Sequence, residues 1–193
     1  MSPSAVQITL VRHGQTQENL MHILQGQMPG RLTGEGISQA RQLGDTLPSG
    51  YYDCILCSDL QRALDTAFIL NEKLQIDLIP MPILRERDFG IYTGKPYGIK
   101  LSPDEPTLES IDSMKKRAMQ FLHDVQIHYP GKKVLVVSHG LFLRVLQSVY
   151  WHKDIKEIFP MRNAETRTIV RKIHYNPHLK HFHESTPPIR IFQ

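Results

Sequence analysis

The chain has 193 residues, of which 40% are hydrophobic and 22% charged, and this composition is typical of one globular domain over residues 1–193. No run approaches the ~18 apolar residues of a membrane span, so no membrane partner is expected. The net charge is +4, and the segment from Arg162 to Gln193, with six Arg or Lys and two Glu, accounts for all of it. Because this basic segment carries no known nucleic-acid-binding motif, we expect solvated surface there and no nucleic-acid site. Nothing at the N-terminus resembles a secretion signal, so a cytoplasmic protein is expected.

The first predicted element is a short apolar strand from Gln7 to Val11, which ends directly in Arg12-His13-Gly14. A polar loop is expected to follow as far as Thr33. Thr33 then has the character of an N-cap, and the helix that it begins should end before Pro48 and Gly50.

The second predicted strand runs from Cys54 to Cys57. Residues three apart on a strand face opposite sides, so the two cysteines are expected to be separate core thiols and not a pair. Ser58 and Gln61 match a capping box for the next helix, which carries Arg62 in its first turn.

The segment from Ile76 to Ile83 is interrupted by Pro80 and Pro82, which predicts an extended stretch at an edge of the sheet, with Glu86 just beyond it. Residues Gly90 to Pro106 are rich in Gly and Pro and are expected to form a loop bordering a pocket. A long helix should follow, with apolar positions at Leu108, Ile111, Met114, Ala118, Phe121, Leu122 and Val125.

Lys133 to Val137 predicts a buried strand that repeats the first pattern, because it ends in Ser138-His139-Gly140 before a helical segment from Leu141 to Val149. A last strand is expected from Thr166 to Ile173, with a turn at Asn176-Pro177 and a loosely held end over residues 184–193. The alternation of strands and helices predicts an α/β fold with a mainly parallel sheet covered on both faces.

Ligands of such sheets bind beyond the carboxyl ends of the strands. We therefore expect one crevice to bring together the four segments that follow strand ends: Arg12-His13, Arg62, Glu86 and Ser138-His139-Gly140. Arg12, Arg62, His13 and His139 would make this crevice cationic, which suits a phosphate dianion and disfavours a divalent metal. Imidazole has an ordinary pKa of about 6.5, so His13 is the candidate nucleophile. Glu86 is the candidate acid and base. Each residue alone has an ordinary structural explanation, but the combination indicates phosphoryl transfer without metal or cofactor.

The segment Leu10-Val11-Arg12-His13-Gly14-Gln15-Thr16 resembles the signature of the histidine phosphatase superfamily, the phosphoglycerate-mutase-like family, and in particular its phosphatase branch. Further matches follow in the family's order and approximate spacing at Asn19, Gln25-Gly26, Leu32-Thr33, Gly36, Gln39-Ala40, Ser58 to Ala63, Leu84 to Glu86 and Val137 to Gly140. The resemblance implies a three-layer α/β/α sandwich. It also implies that His13 is phosphorylated, that Arg12, Arg62 and His139 hold the phosphoryl group, and that Glu86 donates the proton.

The same resemblance implies that Asn19, Gln25 and Gly26 surround the bound phosphate. The sequence departs from the family at Glu18 and Gln27, positions where aromatic residues are common, and both changes are expected to alter the rim of the pocket.

The expected activity is the hydrolysis of a small phosphorylated metabolite. Only Arg87 to Thr107 separates Glu86 from the next helix, which favours a phosphatase over the longer mutases of the family. Because Arg87 could grip a second anionic group, a phosphoglycerate mutase or a sugar bisphosphatase is the alternative. A catalytically idle module that senses a phosphorylated ligand is a further alternative. The sequence does not predict the oligomeric state.

Four histidines near the C-terminus raise the question of a metal site, at positions His174, His178, His181 and His183. They lack nearby cysteines and acidic partners at ligand spacing, so a surface cluster of histidines is the preferred interpretation, and no metal site is predicted.

Overall fold

The computed structural model describes residues 5–171, with the backbone alone for Arg171. One sheet of five strands lies at the centre: β1 (Val6–Arg12), β2 (Cys54–Cys57), β3 (Asp77–Pro80), β4 (Lys133–Ser138) and β5 (Thr166–Arg171). The order across the sheet is β3-β2-β4-β1-β5. The strands β1 to β4 run parallel, and β5 pairs with β1 in the antiparallel direction.

The α-helices of the described chain cover the two faces of this sheet: α1 (Gln17–Leu20), α2 (Gly34–Thr46), α3 (Gln61–Leu74), α4 (Ile111–His128) and α5 (Gly140–Trp151). Short 3₁₀ turns lie at Pro82–Leu84, Gly90–Tyr92 and Ile155–Glu157. Helices α4 and α5 pack with one face of the sheet in a single core cluster, and α2 and α3 pack against the other face. The described chain is therefore an α/β fold of three layers, as predicted.

Strand β2 illustrates how the sequence builds the layers. Successive side chains on a strand face opposite sides. Cys54 and Leu56 belong to the core on the α4 side, whereas Ile55 and Cys57 belong to the core on the α3 side. Both cysteines are free, and burial raises the pKa of the Cys54 thiol to about 11 and that of Cys57 to about 12. The prediction of two separate core thiols is confirmed.

Helix α2 begins as predicted, because the Thr33 side chain accepts a hydrogen bond from the Gly36 amide at 2.9 Å. The capping box predicted at Ser58 and Gln61 is wrong. Helix α3 begins after Leu60, which makes no side-chain cap, and Ser58 Oγ accepts from the Leu60 amide instead.

The polar loop predicted before Thr33 contains α1, which the sequence analysis did not anticipate. Thr16 and Asn19 cap the N-terminus of this helix through two reciprocal hydrogen bonds, a capping box. The long helix also begins later than its apolar pattern suggests, because Ser110 caps α4 and Leu108 is buried just before it.

The edge position predicted for the segment around Pro80 is confirmed, since β3 is the outer strand beside β2. The predicted strand from Thr166 is described as far as Arg171. The turn at Asn176-Pro177, the four C-terminal histidines and the segment 184–193 lie outside the described residues, so the extent of the single domain stays a prediction. The described helices include none with the length and hydrophobicity to span a lipid bilayer.

Candidate active site

His13 follows the end of β1 and occupies the centre of the site. Its Nδ1 lies 2.7 Å from the Gly14 carbonyl oxygen. Because a carbonyl only accepts, Nδ1 carries the proton and Nε2 carries the lone pair. Arg62 Nε donates to this Nε2 at 3.3 Å. Burial lowers the pKa of His13 well below its ordinary value, and the charges of Arg62 and Arg12 lower it further, so the ring is neutral at physiological pH.

The loop that carries His13, residues 13–15, is held by close contacts with α2 and α3. The Gly14 amide donates to Thr66 Oγ1 at 3.0 Å. A Cβ on Gly14 would lie 2.5 Å from the Gly36 oxygen, and a Cβ on Gly36 would lie 2.1 Å from the Gln15 oxygen. Both positions therefore need glycine, because a side chain at either would push the loop away from α2.

Arg62 is fixed by the carbonyl groups of a neighbouring loop. Its Nη1 donates to the Met28 oxygen at 2.5 Å and to the Pro29 oxygen at 3.4 Å, and its Nη2 donates to the Gly26 oxygen at 2.8 Å. Only 1% of the residue is exposed, and burial lowers its pKa to about 10. The guanidinium thus stays charged at neutral pH while its orientation is locked toward His13.

Arg12, at the end of β1, is a second cation beside His13. Its Nη1 donates to the Met161 oxygen at 2.8 Å. Its buried Nε has no hydrogen-bond partner among the described residues, which leaves a donor for a ligand. Gly140 approaches this guanidinium so closely that a Cβ there would lie 3.2 Å from Nε.

Glu86 is held by three backbone amides. The Arg87 amide donates at 2.8 Å and the Phe142 amide at 3.0 Å to Oε1, and the Leu141 amide donates at 3.1 Å to Oε2. Two of these amides belong to the first turn of α5, where backbone N–H groups have no acceptor within the helix. The acid predicted from the sequence therefore has a fixed position in the cavity wall.

His139 is buried beside His13 and is not among the residues that line the cavity. The two ring centroids are 5.2 Å apart, and Nε2 of His139 lies 2.8 Å from Ser58 Oγ. Burial and the charge of Arg62 lower the pKa of His139 well below its ordinary value. Its buried Nδ1 has no hydrogen-bond partner among the described residues.

The cavity in front of His13 has a volume of about 260 Å³. It is lined by Arg12, His13, Asn19, Leu24, Gln25, Gly26, Arg62, Glu86, Phe89, Tyr97, Gly140, Leu141, Arg144, Pro160 and Met161. The predicted substrate residues Asn19, Gln25 and Gly26 are thus brought to the cavity. Arg87 is not among the lining residues, and its Nε donates to the Glu109 carbonyl oxygen at 2.7 Å.

Arg144 is a lining residue that the sequence analysis missed. Its Nε donates to the Ile158 oxygen at 2.6 Å and its Nη2 to the Lys156 oxygen at 3.5 Å, whereas Nη1 has no partner among the described residues. A signal was available, because Arg144 follows Gly140 by four positions and so shares its helix face.

Two loops join to form the rim of the cavity opposite the strand ends. The Leu24 amide donates to the Lys95 oxygen at 2.8 Å, and the Gly94 amide donates to the Leu24 oxygen at 2.8 Å. The Tyr97 amide donates to the His22 oxygen at 2.7 Å. Backbone hydrogen bonds thus connect residues 22–24 to residues 94–97, and we call this pair the rim loops.

In residues 5–171, no three or more His, Cys, Asp or Glu side chains are grouped in a way that could hold a metal ion. The histidine cluster that the sequence analysis considered for metal binding lies outside these residues.

Comparison with known proteins identifies the family of the chain. Residues 8–184 match the model of the histidine phosphatase superfamily (branch 1). The chain belongs to this superfamily. The family predicted from the signature around His13 is therefore confirmed.

Among superfamily relatives, the "Uncharacterized phosphatase PhoE" of Bacillus subtilis (strain 168) is 38% identical over 143 residues, which cover 72% of this chain and 74% of the relative. The "Probable phosphoglycerate mutase GpmB" of Proteus mirabilis (strain HI4320) is 30% identical over 158 residues, with 74% of each chain covered. The solved structure of Bacillus stearothermophilus YhfR superposes with a TM-score of 0.77 at 25% identity, covering 84% of this chain and 90% of that one. The phosphatase relatives support hydrolase activity for this superfamily member.

Proposed function

We propose that this protein is a metal-independent phosphatase that hydrolyses a small phosphomonoester through a phosphohistidine on His13. The observation that carries the proposal is the state of His13, whose Nε2 lone pair is free of a proton beside two arginines and the fixed carboxyl group of Glu86. A neutral imidazole is a competent nucleophile, and fixed cations stabilise the charge on a phosphoryl group in transfer.

In the first step, His13 Nε2 attacks phosphorus and the ester P–O bond breaks. The Nε–H of Arg62, which donates to His13 Nε2, is then available to a phosphoryl oxygen. The partnerless Nε of Arg12 is a second donor. Glu86 protonates the leaving oxygen, so the organic product departs as a neutral alcohol.

In the second step, water attacks the phosphorus of the phosphohistidine and the P–N bond breaks. Glu86, now a carboxylate, takes the proton of the water, and inorganic phosphate leaves. His13 regains its lone pair and Glu86 its proton, so the sum of the two steps is ester plus water to alcohol plus phosphate.

His139, whose ring is the neighbour of His13, would donate a hydrogen bond to the phosphoryl group. The Ser58 hydroxyl, by donating to Nε2 of His139, would leave the proton of that ring on Nδ1. This nitrogen is buried and without a partner among the described residues, so it has a hydrogen bond to offer.

The rim favours hydrolysis of a small organic ester over the mutase alternative. Tyr97, a lining residue, is 46% exposed, so the cavity opens to solvent. A mutase must keep water away from its phosphohistidine, whereas a phosphatase needs water there. Leu24, Phe89, Leu141 and Met161 provide apolar wall for the organic part of a small metabolite.

The test is phosphate release from a panel of phosphomonoesters, including 3-phosphoglycerate and fructose 2,6-bisphosphate, with a chelator present throughout. Wild type should release phosphate, and His13→Ala should not. His123→Ala, at an exposed position of α4, is the matched control and should equal wild type. A phosphoryl group on the His13 peptide after an alkaline quench would identify the intermediate.

Three outcomes would contradict the proposal. Release that survives in His13→Ala would exclude the nucleophile, and release that stops with the chelator would exclude metal independence. Isomerisation of phosphoglycerate without net phosphate release would establish the mutase alternative, and tight phosphoester binding without turnover would establish the sensing module.

A further inference from the structure

The segment from Met161 to Glu165, which we call the strap, crosses the carboxyl end of β1. Arg12 Nη1 donates to the Met161 oxygen at 2.8 Å, and the Arg12 amide donates to the Glu165 oxygen at 3.2 Å. The Ala164 amide donates to the Arg12 oxygen at 3.0 Å. Ala164 has a φ of 54°, a left-handed conformation that is uncommon outside glycine and that these contacts hold in place.

Asn163, in the middle of the strap, reaches two parts of the candidate active site with one amide group. Its Nδ2 donates to the His13 carbonyl oxygen at 3.0 Å and to Asn19 Oδ1 at 3.1 Å. The first contact determines the orientation of the amide, because a backbone carbonyl accepts and only the nitrogen of a side-chain amide donates.

The orientation of Asn19 is determined in the same way. The Thr16 amide donates to Asn19 Oδ1 at 3.2 Å, so this atom must be the oxygen. Two donors, from Thr16 and Asn163, therefore converge on Oδ1. No described residue accepts from Nδ2 of Asn19, and Asn19 lines the cavity.

We propose that Asn163 is a positioning residue that locks the Asn19 amide with its Nδ2 toward the cavity, as a donor to a bound phosphoryl oxygen. Without Asn163, Asn19 Oδ1 keeps one donor, and the terminal torsion of an asparagine is soft. The amide can then turn, and its oxygen would face the anion. The inference rests on the proposed function for the identity of the ligand, but it concerns phosphate binding and not turnover.

The experiment measures the dissociation constant of inorganic phosphate by titration calorimetry for wild type, Asn163→Ala, Asn19→Ala and the double variant. Asn163→Ala should weaken phosphate binding by about fivefold to tenfold, the value of one hydrogen bond. In the Asn19→Ala background the same substitution should change the constant by no more than about twofold, because its effect acts through Asn19.

A matched control is Asn71→Ala. Like Asn163, Asn71 makes two hydrogen bonds through its side chain: its Nδ2 donates to the Ile76 oxygen at 2.9 Å, and its Oδ1 accepts from the Ile76 amide at 3.0 Å. It lies on α3, however, and does not line the cavity. It should lower the melting temperature and leave phosphate affinity unchanged. Asn163→Asp supplies a second variant of equal size, whose oxygens would repel Asn19 Oδ1, and it should weaken binding at least as much as alanine.

Equal losses from Asn163→Ala in both backgrounds would overturn the inference, as would unchanged affinity in both variants of Asn163 or an equal loss in Asn71→Ala. A wild type that fails to bind inorganic phosphate would overturn it as well. Failure of the proposed function is a separate result, because a protein that binds phosphate with this coupling and yet hydrolyses no ester would retain the role of Asn163 and lose the phosphatase assignment.

Discussion

Acidification from pH 7 to pH 5 is expected to destabilise the fold through the two buried histidines, His13 and His139. Burial, as the largest cause, lowers the pKa of both rings well below the ordinary value, so both stay neutral in the folded protein. In the unfolded chain each imidazole has a pKa of about 6.5 and takes up a proton as the pH falls. The unfolded state then binds more protons than the folded state, and the free energy of unfolding decreases.

The size of this loss in the free energy of unfolding follows from the protonation of the two imidazoles in the unfolded chain. At pH 5 an imidazole with a pKa of about 6.5 is about 97% protonated, which stabilises the unfolded chain by about 2 kcal/mol per ring. The pair therefore accounts for a loss of about 4 kcal/mol, a large part of the stability of a typical domain. The loss begins near pH 6.5 and grows until the pH reaches the lowered pKa of the folded rings, below which it stops growing.

Urea unfolding at the two pH values measures this loss in wild type and in the variants His13→Asn and His139→Asn. Each variant should lose about 2 kcal/mol less than wild type between pH 7 and pH 5, whatever its stability at pH 7. His123→Asn is the control, because water solvates this exposed ring in both states, and it should behave as wild type. Equal losses in wild type and in both buried-site variants would refute the argument that these rings are held neutral.

Three further results are expected. Gly36→Ala should lower the melting temperature and abolish phosphate release, because its Cβ would lie 2.1 Å from the backbone oxygen of Gln15. Gly34→Ala, whose Cβ would have no atom within 4 Å, should change neither. Similar melting temperatures in the two variants would contradict the packing argument. Glu86→Gln should lower kcat for phosphate release by about 10²–10⁴, because an amide cannot give or take the proton, and a smaller fall would point to another acid. Arg144→Ala should raise KM for the preferred ester more than Arg87→Ala does, because only Arg144 lines the cavity, and the reverse order in steady-state kinetics would restore the role first predicted for Arg87.

The sequence was sufficient to predict that Arg12, His13, Arg62 and Glu86 line one cavity. His13 and Arg12 come directly after a strand, and Arg62 lies in the first turn of the helix after the next strand. Glu86 lies just beyond the edge strand. Because parallel strands present their carboxyl ends on one side of a sheet, the order of the elements alone brings these four side chains together.

Predictions that relied on local patterns were less successful, because distant contacts decide those positions. Ser58 has the spacing of a capping box, yet its hydroxyl contacts His139, which lies 81 positions along the chain. Arg87 follows Glu86 directly, but its side chain donates to the carbonyl oxygen of Glu109 and does not line the cavity. Asn163 lies in a turn far from His13 in the sequence, and no local pattern could reveal that its side-chain amide reaches the His13 carbonyl.

The rim loops have a consequence for how such a protein can diversify. The phosphate end of the cavity is built on strand ends and helix starts, where a glycine contact or a buried arginine tolerates little change. The rim is built on residues 22–24 and 94–97, which hold each other through backbone groups. Apart from Gly94, whose φ of 82° favours glycine, their side chains can vary without loss of those hydrogen bonds. Substitutions at the rim can therefore change which organic group the cavity accepts, while the residues at the strand ends and helix starts stay the same.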